Sequence, residues 1–119
     1  MLKGFELETS PLTEYERDVL LPVMVRCLSN KIGKGNAVTN RFMVERLKKS
    51  GYDINDIRIR KIISHIRTNG LVPCLIATNT GYYVSQDKVE LRDYINSLKG
   101  RERAIRAVRE AVESQSGLY

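Results

Sequence analysis

The chain has 119 residues, of which 42% are hydrophobic and 29% charged, and its 20 Lys+Arg outnumber its 14 Asp+Glu for a net charge of +6. Such figures fit one globular domain and exclude wholesale disorder and collagen-like or low-complexity structure. No apolar run reaches the roughly 18 residues of a membrane span, and residues 1–8 have no apolar core of a secretory signal, so the expected compartment is cytoplasmic.

Cys27 and Cys74 lie far apart among apolar neighbours, and both are expected to be reduced and buried. A single histidine, His65, is too few for a zinc site; neither metal nor cofactor is expected. Charge is segregated. Residues 55–70 carry Arg58, Arg60, Lys61 and Arg67 against Asp56 alone, and residues 99–109 carry Lys99, Arg101, Arg103, Arg106 and Arg109 against Glu102 alone. Acids collect at Glu6, Glu8, Glu14, Glu16 and Asp18 and over residues 87–93. A single charged cluster ordinarily just solvates a helix face, but this segregation points to a surface that meets a polyanion.

Residues 1–11 lack a period and read as an arm. Thr13 as N-cap and Glu16 three residues on form a capping box. The helix they open carries Val19, Leu20, Val23, Met24, Cys27 and Leu28 as one apolar stripe, with a bend expected at Pro22. Gly33-Lys34-Gly35 lacks the Lys-Ser/Thr and the preceding strand of a phosphate-binding loop, and reads as a solvated turn. After a short extended piece at Ala37-Val38, Thr39 caps a second helix over residues 40–50. Its stripe is Met43, Val44 and Leu47 with Phe42 alongside, and Gly51 ends it. Asn55 caps a third helix, with Ile54 and Ile59 as a hydrophobic staple. Ile59, Ile62, Ile63 and Ile66 follow the i, i+3, i+4, i+7 rule, and Asn69-Gly70 closes it.

Residues 71–77 read as a strand with Pro73 at an edge. Thr78-Asn79-Thr80-Gly81 is a turn, and Tyr82-Tyr83-Val84 returns as the second strand of a β-hairpin, one tyrosine facing the core and the other outward. From Asp87 to about residue 115 the pattern is helical. Leu91, Tyr94, Leu98, Arg101, Ile105, Val108 and Val112 take a/d positions, and Gly100 marks a bend or break. The fold class is mainly α with a small β-hairpin (α+β). Its parts are an arm over 1–11, a domain over 12–86 and a C-terminal helix over 87–119.

Residues 59–72 (Ile59-Arg60-Lys61-Ile62-Ile63-Ser64-His65-Ile66-Arg67-Thr68-Asn69-Gly70-Leu71-Val72) and Thr80-Gly81-Tyr82-Tyr83-Val84 carry a resemblance over residues 12–84. Three helices, the third basic, and then a hairpin are similar to a winged helix-turn-helix domain, and to its small phage and prophage members in particular. The resemblance implies a DNA-binding protein, a small regulator or mobile-element factor, whose third helix enters the major groove of double-stranded DNA. At 100° per residue, Lys61, Ser64 and Thr68 stand opposite the isoleucines, flanked by Arg58, Arg60, His65 and Arg67; these seven are the expected DNA-binding residues. The hairpin tip, Thr78, Asn79 and Thr80, is the expected wing, although it carries no cation. Ile105, Val108 and Val112 are the candidate surface for a homodimer, with Arg101 disfavouring a strong zipper. The alternative is a winged-helix interaction module in a replication or transcription complex, which the outward Ile57 would suit. A weaker third reading is a non-specific nucleic-acid binder using residues 99–109. No paired carboxylates, Ser/His/Asp set or nucleotide fingerprint is legible, so no enzyme is expected.

Overall fold

The capping box closes the start of the first helix: the Thr13 N–H donates to Glu16 Oε1 at 2.8 Å and the Glu16 N–H to Thr13 Oγ1 at 3.2 Å. The structure is a computed structural model that describes residues 10–118, so the arm expected over residues 1–11 lies almost wholly outside the described residues. Helix α1 begins as a π-helical turn, Glu16–Leu20, and continues without a break as the α-helix Leu21–Ser29. Pro22 stands in the first turn of the regular part. The wider turn ahead of it separates the ring from the preceding carbonyls, so the expected bend is taken up as a change of helix type. Leu20, Met24 and Leu28 form the buried line of α1, while Val19 and Cys27, expected in the same stripe, are exposed.

Helix α2, Asn40–Lys49, starts where Thr39 Oγ1 accepts the Phe42 N–H at 3.1 Å. Helix α3, Asp56–Thr68, starts where Asn55 Oδ1 accepts the Arg58 N–H at 2.8 Å. The staple residues Ile54 and Ile59 are both buried. Ile59, Ile62, Ile63 and Ile66 meet Leu20, Met24 and Leu28 of α1 and Met43 and Leu47 of α2 in one core.

Strands β1 (Leu75–Thr78) and β2 (Gly81–Val84) form an antiparallel hairpin with Leu75 opposite Val84 and Thr78 opposite Gly81. The first strand is shorter than expected. Pro73 and Cys74 make a turn instead, and Cys74 is the one non-glycine among the described residues with positive φ, 62°. Proline followed by a left-handed residue is the pattern of a type II turn. It swings the Cys74 side chain out, so both thiols are exposed and the expected burial of Cys27 and Cys74 is corrected.

The short extended piece at Val38 pairs with the free edge of β2. The Val38 N–H donates to Tyr82 O at 3.0 Å and the Tyr82 N–H to Val38 O at 2.7 Å. Further along the same edge, the Gly33 N–H donates to Val84 O and the Val84 N–H to Lys31 O. Strand β2 is thus bonded on both sides, and the hairpin is tied to the loop between α1 and α2.

Beyond residue 86 the chain forms a second unit. Helix α4, Lys88–Ser116, is one helix of 29 residues, capped by Asp87, whose Oδ1 accepts the Val89 N–H at 2.9 Å. It passes through Gly100 without interruption and is about 43 Å long at 1.5 Å per residue. Among the described residues no helix is long and apolar enough to cross a membrane.

Gly81 has φ 120°, and a Cβ placed on it would lie 2.6 Å from the Val38 carbonyl carbon. Gly81→Ala is therefore expected to lower stability by on the order of 2 kcal/mol, read as a fall in the urea midpoint. Gly35→Ala, where a Cβ meets nothing within 4 Å, should leave the midpoint almost unchanged.

Candidate nucleic-acid interface

The surface of α3 is decided by an acid on another helix. Glu16 lies one turn before Leu20 on the buried line of α1, and its side chain is only 4% exposed. Its Oε1 is 2.8 Å from Lys61 Nζ and its Oε2 3.0 Å from Arg58 Nε. Burial by itself would raise the Glu16 pKa, but Lys61, the Thr13 N–H and Arg58 outweigh it and hold the carboxyl at about 2. Arg58 also donates to Asp53 O at 3.1 Å, pairs with Asp53 Oδ2 at 3.2 Å and stacks over the Tyr15 ring at 5.2 Å. The Tyr15 hydroxyl in turn accepts the Asp53 N–H at 2.9 Å. These contacts clamp the start of α1 to the turn between α2 and α3.

Two of the expected DNA-binding residues do not stand on the outward face as expected. Lys61, expected at the centre of the outward face, is a buried partner of Glu16, and Arg58 is largely covered beside it. The physical reason is that α3 is covered on two sides, by the isoleucine core and by the first turn of α1. The exposed strip is rotated by about 50° from the position opposite the isoleucines, at 100° per residue.

Arg60, Ser64 and Thr68 are exposed on that strip, Arg67 is half-buried at its margin, and Ile57 is 42% exposed at its start. Arg60 pairs with Asp56 one turn back at 3.2 Å, both half-exposed; such surface pairs contribute little and exchange readily. The Thr68 hydroxyl donates to Ser64 O at 2.9 Å, which leaves it an acceptor toward a ligand. His65 is half-buried at the helix end, with Nδ1 3.4 Å from Asn69 Nδ2.

The hairpin contributes Tyr82 and the start of α2 contributes Asn40. Tyr83 is buried and Tyr82 half-buried, as the alternation requires. Burial raises the pKa of the Tyr82 hydroxyl, while its hydrogen bond with Asn40 and the nearby Arg67 and Arg60 act the other way. The hydroxyl thus bonds the first residue of α2 and lies within the field of both strip arginines. Asn40 Oδ1 is buried there without a hydrogen-bond partner. Only the adjacent Thr39-Asn40 start and the Tyr82-Tyr83 pair were legible signals for this junction. At the hairpin tip, Thr78 Oγ1 lies 2.8 Å from Thr80 Oγ1 and accepts the Thr80 N–H at 3.3 Å. Thr78, Asn79, Asn40 and Tyr82 border one recess of about 220 Å³, and Asn79 and Thr80 are exposed at the tip.

No protein family, curated protein or solved structure matches the chain significantly. Its geometry therefore carries the functional argument.

In α4, Arg106 pairs with Glu102 at 3.6 Å and Arg109 with Glu113 at 2.7 Å. Part of the basic charge of residues 99–109 is thus neutralised along the helix itself. Ile105, Val108 and Val112 are 70%, 65% and 55% exposed. Among the described residues no group of three His, Cys, Asp or Glu is placed to hold a metal ion.

Because the Glu16 pKa falls from 4.5 to about 2 on folding, ionised Glu16 favours the folded chain by about 3 kcal/mol over its protonated form, fully so above about pH 5. A depressed carboxylate loses its contribution as pH falls, so urea unfolding should show stability declining between about pH 4.5 and pH 2. Glu16→Gln should flatten that decline and lower stability at neutral pH. Lys61→Ala should likewise cost about 3 kcal/mol of stability, because it breaks a buried pair.

Proposed function

We propose that residues 12–86 form a winged helix-turn-helix domain that binds double-stranded DNA, with α3 in the major groove. The helix order, the short α2–α3 turn and the third strand-like segment at Val38 beside the hairpin support the winged reading. The observation that carries the functional reading is the exposed strip of α3. Arg60 and Arg67 stand two turns apart on it with Ser64 between them, and the Tyr82 hydroxyl joins them from the hairpin. A helix with this strip fits a groove about 12 Å wide. The arginines neutralise phosphates, and Ser64 and Thr68, which bond either base type, face the base edges. His65 lies at the margin as a backbone contact. Thr78, Asn79 and Thr80 approach the adjacent backbone through hydroxyl and amide groups.

In this reading the chain acts without catalysis in the cytoplasm, as a small regulator or mobile-element factor. The second half of α4 pairs with its counterpart in a second copy through Ile105, Val108 and Val112, and a dimer reads two half-sites. Exposed Ile57 is the observation that favours the other reading, a winged-helix module that docks on a protein of a replication or transcription complex.

Gel shifts at several salt concentrations test the DNA contact. Arg60→Ala and Arg67→Ala should weaken binding to all sequences alike and reduce the log–log salt slope by about one unit each. Ser64→Ala should cost on the order of 1 kcal/mol at one base position only. Undiminished binding by the double arginine variant would rule out groove reading by α3. Ile57→Ala should leave DNA affinity nearly unchanged, whereas lost capture of a protein partner would favour the interaction module.

Assembly is tested separately. Sedimentation should give a dimer for the full chain, and a folded monomer with weakened DNA binding after truncation beyond Lys99. A full-length monomer at tens of micromolar, or a truncated chain that stays dimeric, would eliminate this role for α4.

A further inference from the structure

Helices α1 and α2 diverge around a cavity of about 390 Å³ that has no part in the α3 surface. Its floor is apolar: Met24, Val38, Met43 and Leu47, all buried, line it. Its mouth carries Phe42, 47% exposed, and the exposed thiol of Cys27. Both methionines of the described residues stand in this wall. Methionine is the apolar side chain best able to reshape around a bound molecule.

The rim is cationic. Among the described residues Arg26, Lys31 and Arg46 line the cavity, no Asp or Glu does, and none of the three forms an ion pair. An apolar floor excludes a fully hydrophilic anion such as free phosphate, because the anion would give up its hydration there without gaining hydrogen bonds. Three cations without an acid disfavour a neutral or cationic occupant. The volume lies in the range of small-molecule sites, about 300–1,000 Å³. Guanidinium forks match a planar carboxylate, which two N–H groups hold side by side.

From this charge complementarity we infer that the α1–α2 cavity is a binding site for a small apolar carboxylate, its tail on the Met24–Met43 floor and its head at the arginine rim. The bound tail covers Cys27, whose position in the mouth explains why a residue among apolar neighbours is exposed. The inference does not depend on what α3 contacts.

The two thiols supply the test, because Cys27 borders the cavity and Cys74, on the turn before β1, does not. Labelling of the full chain with an aromatic disulfide reagent is followed residue by residue, with decanoate below its micellar concentration as the probe. At tenfold excess over its Kd, decanoate should slow Cys27 labelling about tenfold, in proportion to the free fraction, and leave Cys74 unchanged. Decanol and decyltrimethylammonium should protect far less. The double variant Arg26→Gln and Arg46→Gln should lose the protection, read as the ratio of its own labelling rates with and without decanoate. Equal protection by decanol, or none by decanoate, would overturn the assignment. So would slowing of Cys27 labelling by protein concentration alone, which would mean that a second copy covers the cavity.

Discussion

The Glu16 carboxylate is the point on which the arrangement of the three helices turns. Apolar burial supplies the driving force for packing, but it is non-directional: an isoleucine stripe tolerates rotation and sliding against its neighbours. Glu16 has direction. One oxygen is held by Lys61 and the Thr13 N–H, the other by Arg58. Through Arg58 and Tyr15 the same cluster reaches Asp53 in the turn before α3. Removing these charges from water is costly, and the pairing roughly offsets that cost only because every charge in the cluster is met at hydrogen-bond distance. What the cluster adds is the rotation of α3 about its own axis.

That rotation selects the side chains that face outward. Had α3 been covered on its isoleucine side alone, Lys61 would project from the middle of the exposed face. With the first turn of α1 against a second side, Lys61 and Arg58 become internal counter-ions. The outward strip is left to Arg60, Ser64, Arg67 and Thr68. Cations close in sequence thus divide into a structural pair and a surface pair. The regional charge that suggests a polyanion-facing surface overstates the number of cations available to meet one.

The hairpin is positioned by backbone bonds on both edges of β2. Val38 and the Lys31–Gly33 loop bond one edge, β1 bonds the other, and Gly81 permits the close approach to Val38. This pairing brings Tyr82 to Asn40 and the strip arginines. It also links the α1–α2 loop to the hairpin, so the loop beside the α1–α2 cavity is continuous with the sheet that borders the α3 strip.

Local sequence was enough for the order of the elements and for the starts of the capped helices, though not for the start of β1. The Thr13–Glu16 box, the Thr39 and Asn55 caps, the isoleucine stripe of α3 and the paired tyrosines act within a turn or two of chain, so periodicity and capping chemistry reveal them directly. Even the burial of Glu16 had a local sign, since it stands four residues before Leu20 on the line continued by Met24 and Leu28. Only tertiary structure decided what these elements meet. Whether Lys61 faces solvent depends on an acid 45 positions earlier. Whether Cys27 is buried depends on what the α1–α2 loop and α2 place beside it. Those outcomes are sums over long-range contacts and over the electrostatics of groups that approach only when the helices pack, and no window of neighbouring residues contains them.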